Sequence, residues 1–263
     1  MIEQPNPAAP RGIFSFTREQ WMLAGAGGLI GAVLALVITF GVGWLGYFPG
    51  ASDARIQTYL MTHPDVLISM TNLLQQKEAD EDQLKRQAAA DKLGEKRFFD
   101  PAVAYVAGPK DAKKTLVDFF DYNCPYCKAS LPAIKKFYEA HKNDTRFAFI
   151  ELPVKGPEST VAAQIAIAAR RQPDKYIPFY FELMGTGGLD QATIQAAAVK
   201  VGLDIPKLTT DMNDPAVTKT IAASLRLAHE ALIDGTPTFI VNGKVQPQAG
   251  MVTDASLAEL AKR

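Results

Sequence analysis

Thr115-Leu-Val-Asp-Phe-Phe-Asp-Tyr-Asn-Cys-Pro-Tyr-Cys-Lys128 is the stretch on which the fold turns. Leu116 to Phe120 predicts a short apolar strand, followed by a tight turn and a helix that opens at the cysteines. Cys124 and Cys127 are the only two cysteines in 263 residues, and they stand three apart. On the first turn of a helix this spacing puts both sulfurs on one face, close enough to bond. The first cysteine lies where backbone N–H groups lack intrahelical partners and the macrodipole is positive, so its thiolate is favoured. Cysteines so placed have a pKa lowered from about 8.5 to roughly 3.5–7.5, and the thiolate is the form that reacts. Pro125 suits the first helical position, where its missing N–H costs nothing.

A Cys-x-x-Cys pair has three readings: a redox pair, half of a zinc site, or a structural disulfide. A structural zinc normally takes four ligands. No second cysteine pair exists, and His63, His141 and His229 are too scattered to supply the missing two. The placement between a strand and a helix points to redox chemistry.

The segment Phe119-Phe120-Asp121-Tyr122-Asn123-Cys124-Pro125-Tyr126-Cys127-Lys128 resembles the active-site segment of the DsbA family of thioredoxin-fold disulfide oxidoreductases. A second match, Gly235-Thr236-Pro237-Thr238-Phe239-Ile240-Val241-Asn242-Gly243, is similar to that family's cis-proline strand and hairpin turn. The resemblance covers residues 98–263 and implies an α/β thioredoxin fold with an inserted helical subdomain at about 159–233. It implies that Cys124 is the nucleophile and Cys127 the resolving, more buried thiol, joined as a redox-active disulfide in the oxidised state. Pro125 and Tyr126 would tune the redox balance. The best-known enzymes carry a histidine where this chain has Tyr126, which brings no positive charge, so a weaker oxidant is expected. Asp118 matches the family's buried acid and would relay protons to Cys127. Pro237 would lie against Cys124 and expose the Thr236 backbone to a substrate strand. Asp121 and Lys128 read as rim charges with no role. No cofactor and no metal are implied.

Lys plus Arg number 28 and Asp plus Glu number 28, so no basic excess suggests nucleic acid as a partner. With both cysteines in one motif, core packing alone must hold the fold. From Gln20 to Ser52 no residue is charged, and Trp21 to Phe48 is long enough to cross a bilayer, which takes about 20 apolar residues. Trp21 at one end and Trp44 and Tyr47 at the other resemble interfacial aromatic belts. The run lacks an Ala-x-Ala cleavage site, so an uncleaved single-pass anchor in a bacterial inner membrane is expected. Arg11 and Arg18 before the segment favour a cytoplasmic tail over residues 1–20. The catalytic domain would then face the periplasm, where disulfides persist.

Residues 51–97 read as a helical stalk. Ile56, Leu60, Leu67, Met70 and Leu74 recur at helical spacing, with a break at Thr62-His-Pro-Asp65. From Lys77 to Lys96 the chain is highly charged, with Glu81–Lys85 and Asp82–Arg86 at i,i+4. The segment is similar to the N-terminal extension of the suppressor-of-copper-sensitivity protein C (ScsC) group of DsbA-like proteins. That resemblance implies a homo-oligomer formed through residues 51–97, and isomerase activity. Beyond it, Phe98–Ala107, Thr115–Phe120 and Arg146–Leu152 are expected as strands and Pro125–Lys142 as the active-site helix. Ser159–Ile233 should hold four or five helices, Thr236–Val241 and Lys244–Pro247 a hairpin, and Ser256–Lys262 a closing helix. The expected partners are unfolded or misfolded proteins and a membrane redox partner that reoxidises or reduces the cysteine pair. The alternative is a non-enzymatic tethered chaperone or thiol–metal carrier on the same fold.

Overall fold

A computed structural model describes residues 31–41, 53–247, 252, 253 and 257. The cytoplasmic tail expected over residues 1–20 lies outside the described residues. So does most of the expected span from Trp21 to Phe48, of which residues 31–41 are helical (α1). No helix among the described residues is long and apolar enough to cross a membrane. The closing helix also falls outside them except at Leu257, which is buried and helical.

The chain divides into two compact units, Met1–Leu74 and Gln75–Arg263. In the first, α2 (Asp53–Thr62) is followed by the start of α3 (Pro64–Leu93), with the break where Pro64 was expected to restart the helix. At that break His63 stacks on Tyr59, ring centroids 4.3 Å apart. Ile56, Leu67, Met70 and Leu74 are exposed, and so are Tyr59, Met61, Ile68 and Leu73. The apolar surface is therefore broader than the expected stripe.

The second unit is built on a five-stranded sheet in the order β1-β3-β2-β4-β5. Its strands are β1 (Tyr105–Ala107), β2 (Lys114–Phe120), β3 (Thr145–Glu151), β4 (Thr238–Val241) and β5 (Lys244–Val245). Strands β2 and β3 are parallel, joined through α5 (Pro125–His141), and every other pairing is antiparallel. Asn242 and Gly243 both have positive φ, 49° and 75°, which gives the hairpin turn the twist that suits its strands. The Asn242 side chain also accepts the Thr115 N–H at 2.9 Å.

Alternation along β2 sends its side chains into two separate cores. Leu116 and Phe120 join Phe147, Phe149 and Phe239 beneath α5, α6 (Pro157–Ala169) and α7 (Pro173–Met184). Val117 and Phe119 join Ala148, Ile150 and Ile240 on the opposite face. There they meet Leu227 and Ala228 of α10 (Pro215–Glu230), together with Ala90, Phe98 and Phe99. With α8 (Gln191–Lys200) and α9 (Ile205–Met212), five helices fill the expected insertion. Three of them start on aspartate caps, as Asp190, Asp204 and Asp214 accept the N–H of Thr193, Lys207 and Ala216.

Two boundaries differ from the sequence reading. No strand covers Phe98–Ala104. Glu95–Phe98 is a short helix (α4), and Asp100 turns the chain by accepting the N–H groups of Val103 and Ala104 at 2.9 Å. Only Tyr105–Ala107 pairs with β3, because Phe98 and Phe99 serve the second core instead. The end of the segment read as a stalk is likewise part of the folded unit. Gln87 accepts the Val245 N–H at 2.9 Å and donates to the Gly243 carbonyl at 3.0 Å, and Gln83 donates to the Val245 carbonyl. Arg86 donates to the Leu232 carbonyl at 3.2 Å and pairs with Asp234 at 3.3 Å. These bonds close the outer edge of β5, which has no further strand beside it among the described residues.

Candidate active site

Cys124 is the N-cap of α5, with extended backbone (φ −80°, ψ 120°), and Pro125 follows at the first helical position. The cap residue's own N–H is taken by the Asp121 carbonyl at 3.0 Å, which closes the turn between β2 and α5. The expected juxtaposition with the second motif is present. The Thr236–Pro237 peptide is cis, and the Cys124 thiol donates to the Thr236 carbonyl at 3.0 Å. Both cysteines are reduced and buried, at 1% exposure for Cys124 and 5% for Cys127. Tyr126, between the cysteines, and Val154, whose N–H reaches Asp121, stand exposed at 58% and 44%.

The two sulfurs are electrostatically unequal. The Cys124 thiol is lowered to about 5, first by the hydrogen bond from the Cys127 thiol. The Thr236 side chain and the backbone N–H groups of Cys127 and Tyr126 add to this, and burial opposes it. Cys127 is pushed far up, first by its bond to the Cys124 sulfur, then by burial and by Asp118. One proton shared between two sulfurs thus leaves Cys124 acidic and Cys127 strongly basic.

Asp118 shares the strand face of Leu116 and Phe120 and is 1% exposed. Burial raises its carboxyl to about 7, against the lowering effect of the Tyr180 hydroxyl, which donates to Oδ2 at 3.0 Å. Its Oδ1 has no hydrogen-bond partner among the described residues. A carboxyl titrating there, whose charge acts on both sulfurs, can take and return a proton at neutral pH.

Asp121 and Lys128 differ from the reading as rim charges. Asp121 is 2% exposed. Its Oδ1 accepts the Asn123 N–H and the Ser159 hydroxyl, both at 2.7 Å. Its Oδ2 accepts the N–H groups of Val154 at 2.7 Å and Lys155 at 2.8 Å. Lys128 is half-buried, donates to the Thr186 carbonyl at 2.6 Å, and is held below the usual lysine range by burial. A second buried carboxylate that sequence reasoning missed, Glu151, pairs with Arg170 and accepts the Tyr176 hydroxyl at 2.8 Å. Among the described residues no group of three or more His, Cys, Asp or Glu side chains is placed to hold a metal ion. An apolar cleft of about 350 Å³, lined by Ile165, Leu189, Ile194, Ile205 and Leu208, lies in the insertion, and none of the cysteine site's residues lines it.

A parallel βαβ unit with an antiparallel hairpin behind it, and a cysteine pair facing a cis-proline loop, defines a thioredoxin-fold protein. A DSBA-like thioredoxin domain profile matches residues 115–262. The chain belongs to this family of DsbA-like thiol–disulfide oxidoreductases. It is 38% identical to a thioredoxin-like oxidoreductase from Silicibacter pomeroyi DSS-3, covering 63% of this chain and 94% of that one with a TM-score of 0.57. Proteus mirabilis ScsC in a transitional conformation is 30% identical over 80% of this chain and 93% of its own, with a TM-score of 0.59. Disulfide bond formation protein D of Bacillus subtilis is 30% identical over 156 residues, which is 53% of this chain and 68% of that protein. A Na(+)/H(+) antiporter NhaA of Herminiimonas arsenicoxydans is 28% identical over 145 residues, 55% of this chain. The match spans 23% of that antiporter, about a quarter of the length of the curated relatives of this kind.

Proposed function

We propose that the protein is a membrane-anchored periplasmic thiol–disulfide oxidoreductase that forms or rearranges disulfides in folding proteins. The observation that carries this reading is the inequality of the two sulfurs beside the Thr236 carbonyl. In the reduced protein the Cys124 thiolate attacks one sulfur of a substrate disulfide. A Cys124–substrate bond forms, the substrate S–S bond breaks, and the departing sulfur leaves as a thiolate and takes a proton. Cys127 then gives its proton to Asp118 and attacks Cys124. The Cys124–Cys127 bond forms, the substrate thiolate departs, and two electrons have moved from the pair to the substrate. Oxidation runs the same steps backwards. Rearrangement stops halfway: a second substrate thiolate attacks the substrate sulfur bonded to Cys124, and a new substrate S–S bond forms. The Cys124–substrate bond breaks, and Cys124 leaves as a thiolate.

A thiolate favoured at about 5 stabilises the reduced pair and makes the disulfide a better oxidant than one near 7. The resemblance to the family implies a weaker oxidant than members with a histidine at the place of Tyr126, which brings no positive charge to the thiolate. Support for the anchor is the uncharged run from Gln20 to Ser52, of which residues 31–41 are helical. Support for a homo-oligomer through residues 51–97 is the exposed apolar surface of Ile56, Tyr59, Leu67, Ile68, Met70 and Leu73. Left in water, such surface costs roughly 25 cal/mol per Å². Unfolded proteins, and a membrane partner that resets the cysteine pair, complete the proposed cycle. The test is reduction of insulin and refolding of scrambled ribonuclease by the full chain. Activity in either assay supports an enzyme and separates reductase-like from isomerase behaviour. Inactivity in both, with tight zinc or copper binding, would replace this reading with the tethered carrier.

A further inference from the structure

We propose that Asp121 is a positioning residue whose buried carboxylate sets the backbone that faces both sulfurs. The proposal rests on the thiol–disulfide reading of Cys124 and Cys127. A carboxylate taken out of water is costly unless its lone pairs are all used. Here four donors reach it from two segments far apart in sequence: Asn123 on the active-site turn, and Val154, Lys155 and Ser159 beyond β3. Three of the four are backbone N–H groups, so the carboxylate fixes main chain on both sides. A further bond from the Asn123 side chain to the Lys155 carbonyl, at 3.3 Å, runs alongside.

The main chain it fixes belongs to the site. The carbonyl of Asp121 holds the Cys124 N–H, and the N–H of Asp121 counteracts the upward push on Cys127. If the carboxylate is released, the turn loosens. The Cys127 thiol and the N–H groups of Tyr126 and Cys127 then lose their aim at the Cys124 sulfur. Asp118 from β2 acts on both sulfurs, and Lys128 on α5 acts on Asp121. The charge of Asp121 itself is spent on its four donors and is not among the leading influences on Cys124. Loss of geometry therefore outweighs loss of charge, and the sign of the effect follows.

The deciding measurement is alkylation of Cys124 in the reduced full chain across pH, which reads the thiol without any protein substrate. Asp121→Asn keeps the shape but turns two accepting sites into N–H donors that face N–H donors. It should move the alkylation midpoint upward by about 1 pH unit, an approximately tenfold loss of thiolate on the acid side. Ser159→Ala removes one donor and should move it the same way by less. A merely structural brace would lower the unfolding midpoint and leave the pH profile in place. Midpoints within about 0.3 pH units of the unaltered chain, or a downward shift, overturn the proposal. Should Asp121→Asn fail to fold, Ser159→Ala carries the decision on the same criterion. Failure of the insulin and ribonuclease assays with a shifted profile would instead indict the proposed function and leave Asp121's role intact.

Discussion

At the scale of single residues, the sulfurs invite the first test. Cys124→Ser should abolish thiol–disulfide activity, and Cys127→Ser should trap substrates as mixed disulfides visible on non-reducing gels. Alkylation of the reduced protein should titrate near 5 at Cys124. Two thiols reacting alike near about 8.5 would sink the assignment. Asp118 yields a second test through linkage. Its carboxyl lies at about 7 when folded against an ordinary 3.8, so the folded state holds the proton more tightly. Stability tied to this group is full below about 4 and is lost as pH rises to about 7. Asp118→Asn should therefore gain stability relative to the unaltered chain across that interval, by at most about 1.4 kcal/mol per pH unit. Parallel pH–stability curves for the two proteins would refute the burial argument. The places of Cys124 and Cys127 at the start of α5, of Asp118 on β2 and of Pro237 in the cis-proline loop were legible because each sits at a fixed position in a short motif. Asp121 was not. Three of its four partners lie more than thirty residues away, and two of those three are backbone N–H groups that no side-chain pattern records.

Among the elements, sequence reading did best where periodicity and turn chemistry agreed. Strand β2, helix α5 and the Asn242-Gly243 hairpin came out within a residue or two. It failed at Phe98–Ala104, where an apolar run that looks like a strand instead delivers Phe98 and Phe99 to a core and turns on Asp100. The charged half of α3 was misjudged for a related reason. A polar helix face suggests solvent, yet Gln83, Arg86 and Gln87 satisfy main-chain groups of the hairpin and of the loop before Pro237. Gln87→Ala should leave the Val245 N–H and Gly243 carbonyl half-buried without partners, at a cost of about 1–3 kcal/mol. Urea unfolding gives the cost, and hydrogen exchange at the Val245 amide should accelerate. Unchanged exchange there would mean that the helix merely rests beside the strand.

For the molecule as a whole, the apolar residues before Gln75 and the packed helix after it call for different truncations. A chain beginning at Gln75 keeps the Gln83, Arg86 and Gln87 bonds and should be monomeric in light scattering at all concentrations. A chain beginning at Ala51 should self-associate, and its refolding of scrambled ribonuclease should exceed that of the shorter one. A monomeric longer chain would reduce residues 51–74 to a spacer and favour simple oxidation. The closed edge of β5 has a further meaning for a protein with this proposed occupation. The proposed clients would be chains with unpaired strands, and each encounter would offer a chance of sheet-to-sheet adhesion. Two glutamines already occupy the main-chain groups through which such adhesion would begin on that side. On that proposal, a client would be held by its sulfur and let go again, without being added as a sixth strand at that edge.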